Sequence, residues 1–170
     1  QPVGRGIGPA LEAHDVLAVL QNKPDAPQDL KERAILIAAQ ALELASHVEA
    51  GWGLSAADAT LLDGRAWKKF QAICEAQGGM RTPPTAPLTY PLLAQNGGKI
   101  SSIDNRKLSR LAKLAGAPRQ KAAGLAMHVR LGDDVTKGQP LLTVHAEAKG
   151  ALDYALEYAA ANPDILKIEE

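Results

Sequence analysis

Aromatic side chains are nearly missing from this sequence, at 4% of its 170 residues, and their scarcity decides what a core can be made of. Hydrophobic residues still reach 46%, so an interior must be built from Ala, Leu, Val and Ile. Ala and Leu are the strongest helix formers, which favours packed helices. Cysteine is reduced to Cys74 alone, so no internal disulfide can form, as suits a reducing compartment. Net charge is also absent. Nineteen Lys and Arg balance 19 Asp and Glu, so no global field draws the chain to nucleic acid or to an anionic membrane. No apolar run is long enough to form a membrane-crossing helix, and the start has no signal-peptide pattern. A cytoplasmic location is expected. The sequence opens on Gln1 and enters Gly4, Gly6 and Gly8 almost at once, so it reads as a piece of a longer protein.

The first half of the chain is patterned for helices. Pro9 follows the glycines, at a first helical position where its missing N–H costs nothing. Leu11, Val16, Leu17, Val19 and Leu20 then recur with helical spacing. A second helix is expected over 27–47, capped by Asp25. Its centre, residues 34–39, is apolar all round, which predicts burial on most sides. Ser55 and Asp58 have capping-box spacing for a short third helix. A fourth, over 64–77, carries Trp67, Phe70, Ile73 and Cys74 near one face and stops at Gly78-Gly79.

Pro83, Pro84, Pro87 and Pro91 fall within nine residues, a density that excludes helix and favours an extended connector. Three regions are therefore expected: a helical segment over 1–79, a linker over 80–91 and a second domain over 92–170. The last is mixed. Strands are expected at 99–103, 125–129, 140–145 and 165–168. Asp104 caps a helix through Leu108, Leu111 and Leu114 that closes at Gly116, and another helix covers 150–160. The fold class is thus α+β, a helical segment followed by a small α/β domain.

Chemistry-bearing residues are sparse. Gly4-Arg5-Gly6-Ile7-Gly8 before a helix has the composition of an anion-cradling loop, but its spacing is not the dinucleotide fingerprint, and Pro9 removes a donor; a structural turn is the expectation. His14, His47, His128 and His145 have no helical or cysteine partner. His128 and His145 sit on strands flanking one turn and can approach each other, yet a metal site needs a third ligand, and none is evident. No Gly-x-Ser-x-Gly nucleophile turn occurs. Cys74 is expected to be packed rather than reactive. Residues 99–137 hold nine basic and three acidic side chains, with no aromatics between them, the pattern of a solvated helix face. No catalytic, cofactor-binding or metal-binding residue is assigned.

The most distinctive stretch is Gly132-Asp133-Asp134-Val135-Thr136-Lys137-Gly138-Gln139-Pro140-Leu141. It resembles half of the motif of biotinyl and lipoyl carrier domains, with glycines for two tight turns and Val135 and Leu141 pointing into a small β core. The exposed carrier lysine with its flanking methionines is missing, so a bare barrel-sandwich-like (α/β-hammerhead) element is expected.

Taken together, several stretches resemble the pyrimidine nucleoside phosphorylase family, which includes thymidine phosphorylase and the AMP-phosphorylase-like branch. They are Gly4-Arg5-Gly6-Ile7-Gly8-Pro9-Ala10-Leu11-Glu12-Ala13 with Asp15-Val16-Leu17; Ala41-Leu42-Glu43-Leu44; Gly64-Arg65-Ala66-Trp67 through Gly78-Gly79; Ile103-Asp104-Asn105-Arg106-Lys107-Leu108; Lys113-Leu114-Ala115-Gly116-Ala117-Pro118; and the stretch ending at Leu141. His14 departs from that branch, where arginine is usual. The resemblance implies that the chain is a C-terminal piece, the helical tail of a central α/β domain followed by the small C-terminal domain. It implies a parent pentosyltransferase that uses phosphate to cleave the N-glycosidic bond of a pyrimidine nucleoside or nucleoside monophosphate. No metal or organic cofactor is expected, and inorganic phosphate is the co-substrate. The catalytic residues lie before Gln1 in the family's order, so this piece alone is expected to be inactive. A homo-oligomer is expected, without nucleic-acid or membrane partners. The alternatives are a non-enzymatic carrier-like or binding module built on Gly132 to Leu141, and a nucleic-acid-binding domain using the basic window.

Overall fold

The computed structural model describes residues 2–169. The elements run β1 (Gly6–Ile7), α1 (Pro9–Leu20), α2 (Gln28–Leu44), α3 (Gly53–Leu62), α4 (Arg65–Ala76), β2 (Leu88–Leu93), β3 (Gly98–Ile103), α5 (Asn105–Leu114), β4 (Gly124–Met127), β5 (Asp134–Val135), β6 (Pro140–Ala146) and α6 (Lys149–Ala161). A 3-10 turn (Pro163–Ile165) and β7 (Leu166–Glu169) complete them. The fold is α+β. Two antiparallel sheets, in the orders β1-β4-β6-β2 and β5-β3-β7, stay open, and no barrel closes among the described residues. The chain divides into two compact units, Asp15–Thr82 and a second made of Gln1–His14 with Pro83–Glu170.

In the helical unit, Ala18, Val19, Ala26 and Leu61 form a small core, with Leu30 and Ile35 packed against it. The expected capping box does not form. α3 begins at Gly53, two residues before Ser55, whose hydroxyl donates to the Trp52 carbonyl instead. The start of α3 is held by α2. Glu43 Oε1 accepts from Gly51 N at 3.1 Å and Gly53 N at 2.8 Å. A Cβ on Gly53 would lie 2.5 Å from the Ala39 carbonyl oxygen, so this approach requires glycine. Asp25 is not the cap of α2; Pro27 occupies that position, without a side-chain hydrogen bond. The burial expected for residues 34–39 is also corrected: only Ala39 is buried in α2, and Leu36 and Ile37 are exposed. The small partner helices cover one side of α2, which leaves an apolar stripe outside. Trp67 and Phe70 stack on α4 with centroids 5.9 Å apart, and Cys74 is half-buried on the same helix.

The mixed unit has the larger core. Ile100, Leu108, Leu111, Leu125, Leu142 and Val144 are its most fully buried side chains, and Val135 and Leu141 join it as the sequence predicts. Asp104 caps α5 through Arg106 N and Lys107 N, at 2.9 and 3.0 Å. The strands expected at 99–103, 125–129, 140–145 and 165–168 appear as β3, β4, β6 and β7. The proline-rich stretch runs without regular structure to Pro87 and then becomes β2. Pro91 is tolerated because β2 pairs only with β6 and forms a sheet edge. Two further strands were not expected: β1, which pairs Gly6 with Ala126 and Ile7 with Leu125, and β5, which pairs Val135 with Gly98 and Asp134 with Lys99.

Candidate functional site

The mixed unit folds the glycine-rich loop onto β4. Met127 N donates to Arg5 O at 2.8 Å and Ala10 N to Lys121 O at 3.0 Å, extending the β1–β4 pairing at both ends. Gly8 N donates to Glu12 Oε1 at 3.0 Å, so the carboxylate of Glu12 already occupies the start of α1. These donors are spent on the chain's own groups, and the loop is a structural turn rather than an anion cradle formed by a helix end, as its spacing suggests.

A different concavity lies beside it. A cleft of about 290 Å³ is lined by Pro2, Gly4, Arg5, Ile103, Met127, His128, Val129, Arg130 and Asp133. Its far wall is the turn that follows β4, where Asp133 Oδ2 accepts from Arg130 N at 2.7 Å and Gly132, with φ of +90°, donates to Ile100 O at 2.8 Å. Arg5, His128, Arg130 and Asp133 thus line one cleft. Arg5 and Arg130 lie 125 positions apart and share no motif, so no local pattern points to their meeting. Only the β1–β4 pairing, which passes through glycines with no hydrophobic alternation, brings them together.

His128 and His145 do reach one face of the β1-β4-β6-β2 sheet. His128 Nε2 and Thr143 Oγ1 are 2.7 Å apart, and Thr143 lies two residues before His145 on β6. Burial pushes the His145 pKa below its usual value, and the nearby His128 adds to this. Among the described residues no group of three or more His, Cys, Asp or Glu is placed to share a metal ion. His14 is exposed on α1, and His47 is exposed just past α2. In the carrier-like stretch, Gly132 and Gly138 take φ of +90° and +85°, as two tight turns demand, and Lys137 is exposed beside the second. No helix among the described residues is long and apolar enough to cross a membrane.

The mixed unit is thus a small α/β fold of two open antiparallel sheets with one cleft lined in part by basic residues. Residues 99–166 match the family model of the pyrimidine nucleoside phosphorylase C-terminal domain. The chain is 63% identical over 169 residues to a protein of Chelativorans sp. (strain BNC1) named "Putative thymidine phosphorylase", covering 99% of this chain and 33% of that protein. Proteins of the same name from Parvibaculum lavamentivorans and Legionella pneumophila (strain Paris) are 59% and 55% identical, over 99% and 100% of this chain and 34% and 33% of their own lengths. The chain spans about a third of the length of the curated relatives it matches.

Proposed function

We propose that this chain is the C-terminal part of a pentosyltransferase that splits a pyrimidine nucleoside or nucleoside monophosphate with inorganic phosphate. A phosphate oxygen bonds to the anomeric carbon, the N-glycosidic bond breaks, and its electron pair leaves with the base, which takes up a proton. The products are a free base and a sugar 1-phosphate. The observation that carries this reading is the similarity along the whole chain to relatives named thymidine phosphorylase, together with the C-terminal domain match over residues 99–166. Phosphate is the co-substrate, and no metal or organic cofactor is invoked. The working enzyme is a cytoplasmic homo-oligomer in this reading.

The catalytic groups are assigned to the part of the enzyme outside this chain. Nothing within it supplies the lysine, serine and glycine set that such a reaction uses to hold phosphate against a sugar. The test is phosphate-dependent release of base from thymidine, uridine and AMP. The pure 170-residue chain is expected to release none, and the same chain within its full-length protein is expected to release base from at least one. Turnover by the isolated chain overturns the assignment of its residues. Failure of the full-length protein on all three overturns the reaction. The carrier-like alternative at Gly132 to Leu141 is tested by intact mass, since a biotinyl or lipoyl group adds a fixed increment to the chain.

A further inference from the structure

We infer that the outer face of α5, with the turn that follows it, is a binding surface for the phosphate backbone of a nucleic-acid duplex. This inference does not rest on the reaction proposed above. From Asn105 to Gly132 the chain carries seven Lys and Arg and no Asp or Glu. Zero net charge over the whole chain hides this local excess.

The helix sorts its charges onto one side. Leu108, Leu111 and Ala112 are buried, whereas Asn105, Arg106, Ser109, Arg110 and Lys113 are exposed. Arg106, Arg110 and Lys113 are spaced by four and three residues, so they form one row along the helix. At a rise of about 1.5 Å per residue the row is about 10 Å long, the span of about three phosphates of one strand at about 3.4 Å each. Arg119 and Lys121, both exposed, continue the surface past the helix end.

These cations are available to a partner. Among the described residues, the side chains of Arg106, Arg110, Lys113 and Arg119 make no hydrogen bond or ion pair. Asp104, Asp164 and Glu147 border the same stretch, and each is already engaged. Asp104 accepts from Arg106 N and Lys107 N, Asp164 pairs with the Lys107 ammonium, and Glu147 accepts from Ala122 N at 2.7 Å.

The chemistry of the face selects its occupant. Arg, Lys, Ser and Asn are side chains that donate to phosphate oxygens, and no carboxylate on the outer face of α5 opposes them. No exposed large apolar side chain lies between Leu93 and Leu131. The face therefore lacks both the apolar wedge that enters a bilayer and the apolar centre of a protein interface. No Phe, Tyr or Trp occurs between Tyr90 and Tyr154, so unstacked bases have no platform, and a duplex is favoured over a single strand.

The test measures binding of the 170-residue chain to a short fluorescein-labelled duplex, as DNA and as RNA, by fluorescence anisotropy across a salt series. Three phosphate contacts, at a slope of about −0.9 each, predict a Kd that weakens about 40-fold between about 50 mM and about 200 mM salt. Arg106→Gln, Arg110→Gln and Lys113→Gln together are expected to remove most of that dependence and to weaken binding at the lower salt by about tenfold or more. Gln is a good helix former on an exposed face, and circular dichroism reports whether α5 persists. Arg110→Gln alone serves if the triple variant does not fold, and should reduce the salt dependence by about 3.5-fold over the same range. Lys68→Gln with Lys69→Gln removes exposed charge from α4 instead and should leave binding unchanged. The surface is refuted if neither duplex binds saturably at the lower salt, if the folded α5 variants bind as tightly as the parent chain, or if the α4 pair loses as much affinity. Tighter binding of polyglutamate, of phosphatidylserine vesicles or of a single strand of the same length overturns the duplex as the occupant.

Discussion

A methyl group on Gly124 would stand 2.0 Å from the carbonyl oxygen of Ile7. The pairing of β1 with β4 thus rests on a bare backbone, and Gly124 also takes φ of +152°. Gly124→Ala must part the two strands or twist the chain out of a region that side chains avoid. A loss of about 3 kcal/mol is expected. Gly132 is the control. It has φ of +90° but open space around its Cα, so Gly132→Ala costs only the backbone strain, about 1 kcal/mol. Urea unfolding of the two variants compares them directly, and equal losses would show that strand approach contributes nothing.

The two helix starts distinguish local signals from tertiary ones. Asp104 accepts from both Arg106 N and Lys107 N, so Asp104→Ala should cost about 1 kcal/mol. Ser55→Ala, at the position that the sequence marks as a cap, should change stability by less than about 0.5 kcal/mol, because Ser55 lies inside α3. Glu43→Gln keeps the length of the side chain that does the capping, but its neutral amide gives weaker hydrogen bonds to Gly51 N and Gly53 N, so a measurable loss is expected. Thermal unfolding should rank the three in the order Asp104, Glu43, Ser55. Ser55 ranking first would restore the local reading.

That contrast explains how much of the fold was legible. α5, β3, β4, β6 and α6 follow from signals within a few residues of themselves: a cap, an alternation, a closing glycine. β1 did not, because a two-residue strand containing glycine has no pattern, and its partner lies some 120 positions further on. β2 was hidden by Pro91, which reads as a breaker until the strand is known to lie at a sheet edge. The start of α3 depends on a carboxylate from another helix. The cleft is the same problem at the level of a site: Arg5 and Arg130 are both visible in the sequence, and only the β1–β4 ladder makes them neighbours.

His145 gives a pH signature. Burial, with the nearby His128 second, lowers its pKa in the folded chain below the model-peptide value of about 6.5. The unfolded chain therefore binds the proton more readily over the window below that value, and stability falls as pH drops from neutrality through it. Above about 6.5 both states are neutral and the contribution is flat. An NMR titration should place the His145 midpoint below that of a free histidine peptide, and His145→Gln should flatten the melting temperature between about pH 7 and pH 5. A midpoint at or above the peptide value would contradict the assignment.

The outer stripe of α2 leads to the last expectation. Ala34, Ile37, Ala41 and Leu44 recur every three or four residues, and all are exposed, Ile37 by 58% and Leu44 by 90%. Leu36 is exposed as well. Water-exposed apolar area costs about 25 cal/mol per Å² relative to burial, so a stripe about three turns long favours any partner able to cover it. The relatives are about three times as long as this chain, and a longer polypeptide has more surface to set against the stripe. The isolated chain does not, and it is expected to self-associate through its helical unit. Sedimentation over a range of concentrations should show a mass that rises with concentration, and Ile37→Glu with Leu44→Glu should return it to a monomer while leaving the helix content unchanged. The substitutions lie on the solvent side of α2, so they remove the association without touching the core at Ala39. A chain that stays monomeric at the highest concentration and binds no apolar dye would show that the stripe is too narrow to drive assembly by itself.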